Sequence, residues 1–110
     1  MMADLIHIVT QATKIEEGNA GEKFGKIRSR NEGYGVLAEE IDEVQEQIKI
    51  MMRYFDSLVR VIRYDLRELK GDLGHIKKSA QLAACECIQV AAVAQRFIDL
   101  VNEEDKHGQA

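Results

Sequence analysis

Eight apolar residues, Leu37, Ile41, Val44, Ile48, Met51, Phe55, Leu58 and Ile62, alternate steps of four and three without a miss. That is a 3.5-residue period, the seam of a helix packed lengthwise against near-parallel neighbours. Proline is absent from the chain, so nothing forbids long helices. Residues 35 to about 69 read as one long helix, or as two with a joint near Met52–Asp56. The seam is longer than one short neighbour can cover, which predicts an all-α helical bundle completed by oligomerisation, as a homodimer or homotetramer.

The flanking segments follow the same rule. Leu5, Ile6, Val9 and Ala12 recur at helical spacing and predict a first helix over about 3–17. "EEGNAGEKFG" (16–25) is expected to break it with three glycines and an asparagine. "KFGKIRSRNEGYG" (23–35) reads as irregular, carries Lys23, Lys26, Arg28 and Arg30, and offers Asn31 as an N-cap. Its basic cluster suits either a solvated loop or an electrostatic funnel for an anionic ligand. "KGDLGHIKK" (70–78) is the expected turn, followed by a helix over about 76–103 and a fraying polar tail.

A net charge of −4 does not favour nucleic-acid binding. No apolar run approaches the roughly 18 residues of a membrane span, and the start lacks the basic-then-apolar order of a signal peptide. Cys85 and Cys87 are poorly placed to bridge each other on a helix and read as buried free thiols, suited to a reducing cytoplasm. His7, His75 and His107 are isolated along the chain and read as surface residues.

The acidic residues are more informative. On a helical wheel Glu40 and Glu43 border the apolar seam and share a face, whereas Glu39 and Glu46 lie further round and Asp42 points to solvent. "LAACECIQVAAVA" (82–94) has no polar face and is expected to be buried on every side, yet it holds Glu86, with Gln89 nearly one turn on. A carboxylate there needs a cation, an arginine such as Arg96, or a proton. Carboxylates from two facing helices suit a hard divalent cation, Mg²⁺ or Mn²⁺. An ordinary solvated acidic face is the competing reading.

"SRNEGYGVLAEEIDEVQEQIK" followed by "ECIQVAAVAQRFIDL" resembles the MazG-like branch of the all-α nucleoside triphosphate pyrophosphohydrolases, over roughly residues 24–100. The resemblance implies a single MazG-like domain, 1–110, with its core in 24–103 and a polar tail at 104–110. It implies hydrolysis of nucleoside triphosphates to the monophosphate and pyrophosphate, with Mg²⁺ as cofactor. By position Glu40 and Glu43 match metal ligands of the first block and Glu86 that of the second. Glu39 matches the leading glutamate, which orients a water, so Glu39 and Glu40 are the catalytic candidates. Gln89 stands where the pattern has Asp and offers a carbonyl oxygen without charge; Asn31 stands where it has His. Asp99 lies roughly 15 Å along the helix from Gln89, out of reach of that site. Lys23, Lys26, Arg28, Arg30 and Arg96 are candidate phosphate contacts, and Phe24, Tyr34 and Tyr54 candidate stacking residues. Gln89 and Asn31 also fit an alternative, a non-catalytic interaction protein that keeps the fold with a degenerate metal site.

Overall fold

The computed structural model describes residues 1–64 and 69–108. Three helices account for nearly all of them: α1 (Met2–Phe24), α2 (Arg30–Arg63) and α3 (Leu69–Gly108). The all-α expectation holds, and α2 runs through Met52–Asp56 without a joint. The last residues of the predicted second helix, 65–68, lie outside the described residues.

Both predicted glycine breaks are overturned. α1 continues through Gly18 and Gly21 to Phe24, and α3 already contains Gly71 and Gly74, so 70–78 is helix and not turn. A glycine costs a helix about 1 kcal/mol relative to alanine. That is too little to end a segment whose other residues favour helix and whose neighbours pack, as Ala12, Glu16 and Ala20 do in α1. What ends α1 is Gly25, with φ 74° and ψ −161°, a conformation open to glycine and strained for any L side chain. Only residues 25–29 separate α1 from α2, pinned by the buried Ile27. The N-cap is Ser29 and not Asn31: its hydroxyl accepts the Glu32 N–H at 3.1 Å. At the other end α3 extends to Gly108, so the expected polar tail is helical, with Lys106 and His107 complementing the dipole of its last turn.

The chain divides into two compact units, one made of residues 1–40 and 87–110, the other of 41–86. The first unit gathers α1, the start of α2 and the end of α3. Ile27, Ala92 and Val93 are its buried apolar residues, and Gly33 lies against the Phe97 ring, where an added Cβ would come within 2.6 Å of Cδ2. Arg30 Nε pairs with Glu104 at 2.8 Å and Lys26 with Glu103 at 4.0 Å. These surface pairs contribute little beyond register.

The second unit is an antiparallel pair of helical segments. Ser57 Oγ donates to Asp72 Oδ2 at 2.9 Å, and Tyr54 stacks on His75 with ring centroids 4.2 Å apart. One step back along α2 is matched by one step on along α3, which fixes both direction and register. Ala83 and Ser79 are its buried residues.

Cover of the seam is one-sided. Leu37, Val44, Met51 and Leu58 are half-buried, while the alternate members Ile41, Ile48, Phe55 and Ile62 are exposed, Phe55 by 56% and Ile62 by 64%. Residues 82–94 likewise are not buried on every side. Leu82 is exposed, and Cys85 and Cys87 are exposed free thiols where buried ones were expected.

The glycine contacts give a paired test. Gly33→Ala forces the Phe97 ring to move and is expected to lower stability by about 1–3 kcal/mol. Gly35→Ala meets nothing within 4 Å and gains about 0.5–1 kcal/mol of helix preference. Urea unfolding of both variants checks the opposite signs.

Candidate functional site

Glu43 and Glu86 both belong to the second unit, and its register brings them together. About three turns back from Tyr54 along α2 lies Glu43, and about three turns on from His75 along α3 lies Glu86. Glu40 precedes Glu43 by one turn of the uninterrupted α2, so the helix itself sets that pair on one face. One carboxylate oxygen from each of Glu40, Glu43 and Glu86 lies within 4.8 Å of the others. Glu40 and Glu86 are half-buried and Glu43 is exposed. Glu86 is therefore less deeply enclosed than expected, because α3 is open to solvent beside it.

Three oxygens at this separation fit a hard divalent cation in number, charge and donor type. Acidic groups also cluster at helix surfaces without one, each charge then held by water and neighbours. Glu39 and Asp42, both exposed, are not in the cluster.

Within the first unit, a cavity of ≈ 300 Å³ contains Glu40 and Gln89 in its wall. Glu16, Asn19, Lys23 and Phe24 of α1 and Arg96 of α3 line it too. Lys23 Nζ sits 5.2 Å from the Phe24 ring centroid. Arg96 Nη2 donates to the Gly25 carbonyl at 2.8 Å, tying α3 to the end of α1. The guanidinium is thus held at the end of α1, and Arg96 lines both this cavity and a larger one.

Of the residues expected to contact substrate, Lys23, Phe24 and Arg96 line this cavity. Lys26 lines the larger cavity of ≈ 630 Å³ with Gly18, Gly21, Asp99 and Glu103, and Arg96 stands in the wall of both. Arg30 is engaged by Glu104 at the start of α2, and Tyr34 is 73% exposed. Arg28 is exposed in the 25–29 segment. Glu16 and Asn19 were missed by sequence reasoning because the helix was ended too soon. Their signal was present: 16, 19, 20 and 23 fall at helical spacing and share a face once α1 is carried through its glycines. Comparison with protein-family models, with curated proteins and with solved structures finds no match.

The Arg96 contact is testable alone. Arg96→Met keeps the apolar stem and removes the hydrogen bond to Gly25, so stability is expected to fall by about 1 kcal/mol, at the low end for a charged donor in a solvated place. Limited proteolysis should then cut faster within 25–29. Unchanged cleavage there would show that Arg96 does not hold the end of α1.

Proposed function

We propose that the chain is a Mg²⁺-dependent nucleoside triphosphate pyrophosphohydrolase of the MazG-like type, producing a nucleoside monophosphate and pyrophosphate. The observation that carries this reading is the meeting of Glu40, Glu43 and Glu86, one carboxylate oxygen of each within 4.8 Å of the others; Glu40 also lines a first-unit cavity with Lys23 and Arg96. A divalent cation supplies neutralisation of phosphate charge and a more acidic water. Glu40, Glu43 and Glu86 would hold it, with Gln89 contributing a neutral carbonyl. Lys23 and Arg96 would supply positive charge to the phosphates, Arg96 being held by its hydrogen bond to the Gly25 carbonyl. Glu39, exposed and adjacent to Glu40 in sequence, is the residue we assign to orienting the attacking water.

The same reading includes a homodimer or homotetramer, because the exposed row Ile41, Ile48, Phe55 and Ile62 offers a second copy an apolar face of matching period. Two exposed free thiols fit a reducing cytoplasm. The exposed row also favours the second reading, a non-catalytic bundle whose purpose is association, in which the acidic cluster is a solvated remnant.

Three measurements test these readings. Mg²⁺ or Mn²⁺ is expected to raise the melting temperature of the wild type, as a ligand of the folded state does. Glu86→Gln should remove that rise while Asp42→Asn keeps it; an equal rise in all three proteins rules out the acidic cluster as the cation site. Pyrophosphate release from a panel of nucleoside triphosphates should require the metal and fall at least about a hundredfold in Glu86→Gln, the scale of losing a group that stabilises developing charge. No release from any nucleotide leaves the association reading. Sedimentation should show an oligomer that Ile48→Glu with Phe55→Glu converts to monomer; a wild-type monomer at micromolar concentration overturns the assembly.

A further inference from the structure

We infer that a second copy of this chain docks antiparallel along α2, in a register set by Asp42, Lys49, Asp56 and Arg63. This inference rests on the assembly reading above and adds to it the direction and alignment of the partner. α2 carries two stripes at alternating steps of four and three. One, through Val44, Met51, Tyr54, Leu58 and Val61, is half-buried within the chain. The other, through Ile41, Ile48, Met52, Phe55, Val59 and Ile62, is exposed, from 38% at Val59 to 64% at Ile62. Gln45, also exposed, fills its one polar step. The outer stripe is thus a seam in its own right, three heptads long. It exposes on the order of 600 Å² per copy, most of the roughly 800 Å² that each partner gives to a standard interface.

The charges choose the partner's direction. Asp42, Lys49, Asp56 and Arg63 are exposed, seven residues apart, and each follows a stripe residue by one. They therefore border the stripe along one side, with alternating sign. The opposite border is Val44, Met51 and Leu58, which is apolar. In a parallel pair each border faces the opposite border of its neighbour, so every charge would face an apolar residue. In an antiparallel pair a border faces its own counterpart, and the charges meet one another. Register then decides the signs. With a two-fold axis near Arg53, Asp42 meets the partner's Arg63 and Lys49 the partner's Asp56, and symmetry repeats both pairs. Met52 then packs on the partner's Phe55 and Ile48 on the partner's Val59. A slip of one heptad preserves an apolar seam but sets Lys49 against the partner's Lys49 and Asp42 against the partner's Asp56. Lys49 also pairs with Glu46 of its own helix at 3.7 Å, both side chains mostly exposed, so the intermolecular pair shares it. Further from the stripe, Glu46 comes level with the partner's Arg60, and Arg53 with the partner's Arg53, a repulsion that solvent screens.

Sedimentation equilibrium and spin-label distances test this on the whole chain. Asp56→Lys sets like charges at both Lys49 contacts and should weaken association about tenfold, two exposed pairs having changed sign. Adding Lys49→Glu restores opposite signs and should return the dissociation constant to within about threefold of wild type. For direction, a spin label is carried by Ala38→Cys in a chain with Cys85→Ser and Cys87→Ser. Ala38 is exposed and lies outside the charged border. The inferred register puts the two labels roughly 45 Å apart, a heptad slip roughly 35 Å, and a parallel pair under about 20 Å. A distance under 20 Å overturns the direction, and one near 35 Å the register. Association indifferent to Asp56→Lys overturns the role of the charges and leaves the assembly standing. A wild-type monomer at micromolar concentration overturns this inference and the assembly together.

Discussion

The register between the second half of α2 and the first half of α3 is the constraint on which the acidic cluster depends. Tyr54 against His75 and Ser57 against Asp72 fix it at one end of the pair. The rigidity of two continuous helices carries it to Glu43 and Glu86 at the other. A slip by one residue turns a helix by roughly 100° and would carry a carboxylate off the shared face. The polar contacts thus act at a distance, as pins for a geometry realised about three turns away. Each is individually modest, on the order of 1 kcal/mol, but the apolar seam alone would tolerate more than one alignment because its period repeats.

The second constraint is partial cover. α2 offers apolar residues over a wide arc, and one neighbouring segment occupies only part of it. The half-buried row Leu37, Val44, Met51 and Leu58 accounts for the fold of the single chain. The exposed row contributes less to it, most clearly at Phe55 and Ile62, which face water with more than half of their surface at an energetic cost that grows with apolar area.

Much of this was legible in the residues. The four-three spacing gave the long second helix, and a wheel built on it put Glu40 and Glu43 on one border while leaving Asp42 in solvent. Glu86 stood out because its neighbours are apolar, and the structure brings it to the other two. The depth of its burial was overestimated, since a sequence shows that a face is apolar and not whether the chain has enough mass to cover it. The helix ends were misjudged for one repeated reason: glycine was given the weight of proline. Gly18, Gly21, Gly71 and Gly74 weaken a helix without removing a donor or clashing, and packing overrides them. Ser29 was passed over as a cap because the start of α2 was placed too late. Carrying α1 through its glycines also brings Glu16 and Asn19 onto one face with Lys23, which a helix end near residue 17 hides.

One glycine does behave as a true stop. Gly25 has φ 74° and ψ −161°, and the mirror image of that pair is close to φ −74°, ψ 161°, the polyproline II basin that ordinary residues favour. Gly25 is thus a point of inverted handedness, at which the chain briefly follows the rules of D-amino acids. Its carbonyl is also the one that receives Arg96, so the turn and its anchor depend on the same inverted peptide. L-alanine there would carry a strain on the order of 1–3 kcal/mol. D-alanine, introduced by chemical ligation, would adopt that backbone conformation without strain and would narrow the freedom of the unfolded chain. The stereochemistry of a single α-carbon would then decide whether the link between α1 and α2 is weakened or made firmer.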